Sequence, residues 1–128
     1  MSHIKNKIEW CLKKAEFLKY ILPVIIWMIF IFYISSLSSP PSPGEGIKFF
    51  NEIFHFSEYL ILSFLFLRMF NSYNFKHSFL LAIIFSIIYA LTDEIHQLFI
   101  PYRAFEIKDL IIDSFGASVI LISLFFKK

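Results

Sequence analysis

The chain has 128 residues, of which 58% are hydrophobic, 20% aromatic and only 17% charged, far from a soluble domain, where roughly a quarter of residues are charged. A mean hydropathy of +0.69 on this length leaves room for about four spans of about 20 residues and for no separate soluble domain. The single cysteine, Cys11, excludes an intramolecular disulfide and a CxxC metal or redox pair, and the modest net charge of +2 argues against a nucleic-acid partner.

Residues 1–19 carry Ile4, Ile8, Cys11, Leu12, Ala15 and Leu18 at helical spacing, with Lys5, Lys7, Lys13, Lys14 and Lys19 elsewhere. That pattern predicts a short amphipathic helix lying on the anionic inner leaflet. A cleaved signal peptide would need an unusually long basic region, and cleavage near "LSS" would remove the first span. Residues 20–128 form the membrane domain proper. Its first span, Tyr20 to Leu37, has no charged group, and Pro23 is tolerable in an early helical turn, where a backbone N–H is spare.

The stretch "SSPPSPGEG" cannot continue a helix and predicts an exposed loop. A second span runs from about Phe54 to Met69, and the polar "NSYNFKH" turns the chain into a third, from Phe79 to about Phe99. Pro101 in "PYRAFEIK" stops that helix before a fourth span, Leu110 to Phe126. Short loops force antiparallel neighbours. The predicted fold class is therefore all-α membrane: a four-transmembrane-helix antiparallel bundle preceded by a short N-terminal amphipathic helix.

Lys and Arg accumulate on the cytoplasmic face. With alternating spans, Lys5, Lys7, Lys13, Lys14, Lys19, Arg68, Lys76, Lys127 and Lys128 share one side, against Lys48, Arg103 and Lys108 on the other. Both termini are thus expected in the cytoplasm. Glu45, Glu52, Glu58, Asp93, Glu94, Glu106, Asp109 and Asp113 then fall on or near the outer side, where Ser35, Ser36 and Ser38 end the first span.

At 100° per residue, with Asp93 at zero, Gln97 lies at about 40°, Glu94 at about 100° and His96 at about 300°. These four share less than half the circumference, and Ile84, Ile88, Leu91, Ile95 and Leu98 fill the opposite, lipid-like side. His55 and Glu58 are neighbours on span two. Asp109, Asp113 and Gly116 fall near one line on span four, where Gly116, Ala117 and Ser118 allow close helix approach. Glu52, Arg68, Glu106 and Lys108 read as interfacial charges that snorkel. Asp109 is also a reasonable N-cap. Asp113 lies a turn deeper, and four acids at Glu58, Asp93, Glu94 and Asp113 beside two histidines require protonation, cationic partners or a bound ion.

The segments "WMIFIFYISSLSS", "HFSEYLILSFLFLR" and "YALTDEIHQLFIPYRAFEIKDLIIDSFGA" together resemble the VanZ-like family of small bacterial membrane proteins, from about Trp27 to the C-terminus. The likeness rests on an H-x-x-E-Y segment, a TDE-x-HQ segment, an Arg shortly after a Pro and D-x-x-x-D-x-x-G, in that order. The family's polar positions carry over to His55, Glu58, Thr92, Asp93, Glu94, His96, Gln97, Arg103, Asp109, Asp113 and Gly116. The family's loop around the Arg often contains glycine, whereas this chain reads "PYRAFEIKD". The resemblance implies a multi-pass protein of the bacterial cytoplasmic membrane. It also implies a role in the cell envelope, the founding member being associated with low-level resistance to teicoplanin, a lipoglycopeptide that acts on cell-wall precursors.

Three chemistries stay open on the residues. The polar cluster His55, Glu58, Asp93, Glu94, His96, Gln97, Arg103, Asp109 and Asp113 can bind or shield a lipid headgroup, an envelope polymer or the lipoglycopeptide's target, with Arg103 suited to phosphate. Alternatively, a metal-assisted enzyme acts on a lipid-linked substrate, with Glu94 or His96 as general base and a divalent metal drawn from His55, Asp93, His96 and Asp113. Mixed His and carboxylate ligands suit zinc, manganese or iron, but D-E-x-H-Q is not the zincin H-E-x-x-H and no triad nucleophile is evident. Thirdly, the same groups form a purely structural pairing network. Nucleotide-driven transport lacks a Gly-rich phosphate loop, and a channel would need an oligomer. The 18 Phe residues read as packing and lipid-facing bulk.

Overall fold

A computed structural model describes residues 2–37 and 49–126. The "SSPPSPGEG" loop, Ser38, Glu45, Lys48, Lys127 and Lys128 lie outside the described residues. The described chain is all-helical: α1 (Ser2–Glu16), a π-helical turn (Phe17–Ile21), α2 (Leu22–Ser35), α3 (Phe50–Ser72), α4 (Ser78–Gln97), α5 (Ile107–Ser118), a 3-10 turn (Val119–Leu121) and α6 (Ile122–Phe126). Three runs are long and apolar enough to cross a membrane: Ile4–Ser35, Phe50–Ser72 and Ser78–Gln97. The fourth rod, α5 continued through the 3-10 turn into α6, closes a four-helix bundle.

Side-chain pairs fix the directions. Trp27 donates from Nε1 to the Glu58 carbonyl at 2.9 Å, and Arg68 lies over the Tyr20 ring at 5.7 Å, so α2 and α3 are antiparallel. Tyr59 meets Tyr89 and Phe66 meets Phe85, which makes α3 and α4 antiparallel. Tyr89 donates to the Met28 carbonyl and Gln97 to Ser35, running α4 parallel to α2. The α3 helix packs most extensively on α5, then on α4.

The sequence pattern explains which faces turn inward. Along α4 the buried positions are Ser78, Ala82, Ser86, Ala90, Asp93, Glu94 and Gln97, whereas Ile84, Ile88, Leu91, Ile95 and Leu98 are exposed, as the helical wheel predicts. The small residues at 82, 86 and 90 let neighbouring helices approach closely. On α3 the buried stripe is His55, Glu58, Tyr59, Leu62, Ser63, Phe66, Leu67 and Phe70. Ser63 and Ser86 are fully buried and donate to the carbonyls of Leu60 and Ala82 in their own helices, so neither competes for an interhelical partner. The large apolar core residues therefore occupy one half of the bundle and the buried ionisable residues the other.

Two local features depart from the sequence expectation. Pro23 does not sit at a free helix start. Helix α1 runs into α2 through the π turn, where the Leu22 N–H reaches the Phe17 carbonyl. The widened turn lets a proline, which has no N–H, enter a continuous helix without a break. The run Ile4–Ser35 has 32 residues, about 48 Å at 1.5 Å per residue, so its lysine-rich start extends beyond a hydrocarbon layer of about 30 Å. Span two also begins earlier than Phe54, at Phe50.

The α3–α4 connection closes by a Schellman motif. Asn74 adopts φ 57°, the Phe75 N–H reaches the Phe70 carbonyl and the Asn74 N–H that of Asn71, each at 3.1 Å. Phe75 packs edge-on to Phe70 at 5.3 Å, the hydrophobic contact this motif favours. Asparagine tolerates the left-handed conformation better than most residues.

Candidate functional site

The C-terminal ends of α2 and α4 meet the N-terminal ends of α3 and α5 at one end of the bundle. Ser35, His55, Glu58, Asp93, Glu94, Gln97, Asp109 and Asp113 are all buried there. His55 lies five residues into α3, Asp113 six into α5 and Asp93 four from the end of α4, which puts the cluster about 6–9 Å below the helix ends. At that depth a carboxylate cannot snorkel to the interface, and each needs a local partner.

His55 is the centre of the pairing. Its Nδ1 lies 3.1 Å from Asp113 Oδ1 and its Nε2 3.6 Å from Asp109 Oδ2. Asp109 is not the N-cap of α5: Glu106 holds that position with extended φ, and Asp109, one turn in, aims at His55. Glu94 reaches from α4 to the start of α5, where its Oε2 accepts the Glu106 N–H at 3.0 Å. A carboxylate at this place satisfies an orphan helix donor and meets the positive end of the helix dipole.

The other predicted residues divide between two directions. Asp93, Glu58, His55, Gln97, Ser35 and Arg103 line a small cleft with Asn51, with about 10 Å³ open to the centre of a water molecule, enough for a single water or bare ion. His96 points elsewhere, stacking on Phe32 with centroids 4.3 Å apart and lying 3.0 Å from the Ser36 hydroxyl. It is half-buried and separate from His55, while Thr92 is exposed and bonds back to the Tyr89 carbonyl. Lys108 pairs with Glu52 at the rim.

Arg103 is carried over the cleft by a tight turn. The Arg103 N–H donates to the Ile100 carbonyl at 3.1 Å, with Pro101 and then Tyr102 at φ 64° between them. Pro followed by positive φ is the type II pattern, in which glycine is the usual third residue. Tyrosine in the left-handed region costs about 1–2 kcal/mol. The turn leaves Tyr102 almost wholly exposed, at 97%.

Polar satisfaction is incomplete. Buried and without a hydrogen-bond partner among the described residues are Glu58 Oε1, Asp93 Oδ1, Glu94 Oε1, Asp113 Oδ2, Arg103 Nε, the Tyr59 hydroxyl and, at the rim, Glu52 Oε2. Buried polar atoms are rarely left so, and such groups mark a functional role, an ordered water or an ion. Five acids, Glu58, Asp93, Glu94, Asp109 and Asp113, outnumber the basic groups near them among the described residues, His55, His96 and Arg103, so the end of the bundle suits a cation or protons. Sequence reasoning did not single out Tyr59 or Asn51. Tyr59 follows Glu58 directly and lies four residues from His55, a spacing that places it beneath the histidine on the same face.

Gly116 explains how α5 comes close enough. A Cβ there would overlap the backbone carbonyl of Phe56 on α3, so only glycine permits the contact that brings Asp113 to His55. Ala117, fully buried, continues the small-residue seam.

Searches among curated proteins and among solved structures returned no match. The VanZ/LLP1 family profile matches residues 17–127, a stretch that contains α2 to α6 and every side chain of the polar cluster. This membrane protein therefore belongs to the VanZ/LLP1 family.

Proposed function

We propose that the protein works at the outer face of the bacterial cytoplasmic membrane, in cell-envelope function or resistance to teicoplanin, by binding or shielding an envelope component at the polar end of the bundle. The observation that carries this reading is Arg103: half-buried, with a partnerless buried Nε, it overhangs a cleft lined by Asn51, Gln97 and buried acids. A guanidinium held in this way offers its planar fork of donors to a phosphate or carboxylate headgroup. The outward orientation rests on the unequal distribution of Lys and Arg along the chain. A second reading, metal-assisted chemistry on a lipid-linked substrate, is favoured by the mutual approach of His55, Glu94 and Asp113. Of the two candidate bases, His96 faces α2, away from these three residues, and Glu94 is itself one of them.

Expression in a teicoplanin-sensitive host tests the proposal. The intact protein lowers susceptibility, and Arg103→Gln, matched for membrane level, abolishes that effect. Loss of a hydrogen bond to a charged group costs about 1.5–3 kcal/mol, a weakening of at least about tenfold. Unchanged susceptibility with the intact protein, or full protection by Arg103→Gln, would count against this reading.

A further inference from the structure

We propose that His55, Glu94 and Asp113 form a binding site for one divalent transition-metal ion of the zinc, manganese or iron(II) class. The site would hold whether or not the cleft takes an envelope component. Each residue comes from a different helix, α3, α4 and α5, and one ligand atom from each lies within 4.8 Å of the others. Ligands about 2.0–2.2 Å from a shared ion sit about 3–3.5 Å apart in tetrahedral geometry, so closure of the widest gap by at most about 1.3–1.8 Å completes the set.

The two carboxylates are prepared for this role in the same way. Glu94 and Asp113 are both fully buried, at 0% exposure. Each has one oxygen beside a nitrogen, Glu94 Oε2 at the Glu106 N–H and Asp113 Oδ1 3.1 Å from His55 Nδ1, which gives up any proton it shares with Asp113 when it ligates, and one without a partner, Glu94 Oε1 and Asp113 Oδ2. A buried carboxylate oxygen with no donor is costly in an apolar surround, and a cation relieves two such costs together. His55 presents Nδ1 towards Asp113 and Nε2 towards Asp109. A ligating histidine characteristically gives its other N–H to a carboxylate, which fixes the ring and raises its basicity. Asp109 is placed for that orienting role.

The donor set selects the ion class. One imidazole nitrogen and two carboxylates suit zinc, manganese or iron, whereas magnesium and calcium prefer oxygen donors alone. Three protein ligands also leave a position for water or a further ligand. The set differs from the one anticipated from sequence spacing, since Asp93 lines the cleft and His96 stacks on Phe32, while Glu94 takes the third place.

The test uses the intact protein, purified in detergent, stripped with chelator and dialysed against zinc, manganese or anaerobic iron(II). About one ion per chain and a higher unfolding temperature are expected for at least one of these metals. The isosteric Glu94→Gln and Asp113→Asn reduce affinity by more than the roughly 10- to 100-fold typical of losing an outer-shell partner. Asp93→Asn and His96→Ala leave it within that range or unchanged. If Glu94→Gln does not fold, Glu94→Asp replaces it, with weakened binding again expected. Failure of the stripped wild type to bind any of the three ions would overturn the proposal. So would wild-type affinity in the folded Glu94 variant, or equal losses from Asp93→Asn and Glu94→Gln.

Discussion

Gly116→Ala is expected to drive α3 and α5 apart and to lower the stability of the bundle by about 2 kcal/mol or more. The added methyl would overlap the Phe56 carbonyl oxygen, with the Phe56 carbonyl carbon and Cα at 3.1 and 3.2 Å. These are backbone atoms in the middle of a helix, so no rotamer change relieves the overlap. Overpacking of this kind costs about 1–3 kcal/mol, more when the backbone itself must move, and it outweighs the gain of up to about 1 kcal/mol from replacing a helical glycine. Thermal unfolding in detergent reads the loss. Gly116→Leu should not yield a folded bundle at all. A wild-type unfolding temperature for Gly116→Ala would mean that α5 does not approach α3 as described.

His55→Ala carries the other large effect. The ring lies between Asp109 and Asp113, and its removal leaves two buried carboxylates without their partner. Breaking a buried pair by deleting one member costs about 3–5 kcal/mol, because the surviving charge stays desolvated. Asp113→Asn keeps the shape and removes the charge, so its cost is smaller. A double-mutant cycle over His55→Ala and Asp113→Asn should give a coupling of about 1–3 kcal/mol, the range for contacting groups in one network. Additive losses would show that the two side chains do not interact. Because the acids on α3, α4 and α5 remain nearby, a stability loss alone leaves function open, and the charge-removing isosteres Glu94→Gln and Asp113→Asn separate binding from packing.

How far the sequence reached depends on what a helical pattern can encode. Period and polarity identify a face: Ile84, Ile88, Leu91, Ile95 and Leu98 are exposed, with Ala82, Ser86 and Ala90 inside. A wheel measures direction from one helix axis, however, and not which neighbour lies there. Asp93 and Glu94 share a polar sector, yet Asp93 turns to the Arg103 cleft and Glu94 to the first N–H of α5. His96, on the other flank of that sector, meets Ser36 and Phe32 on α2. The grouping of Glu94 with His55 and Asp113 depends on where α5 begins, and "PYRAFEIKD" does not mark that start by a Ser, Thr or Asn cap. Tyr102 hides its turn for a similar reason. Pro101 announces a turn, but nothing in a tyrosine announces φ 64°. Pro23, read as an early-turn residue, was misleading about the helix start because a π turn has no compositional signature.

An envelope-binding site requires the polar end of the bundle to open outside the cell, and sidedness of the Arg103 turn tests this most directly. In a Cys11→Ser background, Tyr102→Cys places a thiol on that exposed turn, and Phe75→Cys places one at the opposite end of the bundle. A membrane-impermeant maleimide applied to intact cells should label the Tyr102→Cys protein at once and the Phe75→Cys protein only after permeabilisation. Labelling in the reverse order would put the cluster on the cytoplasmic side and contradict an outward-facing envelope site.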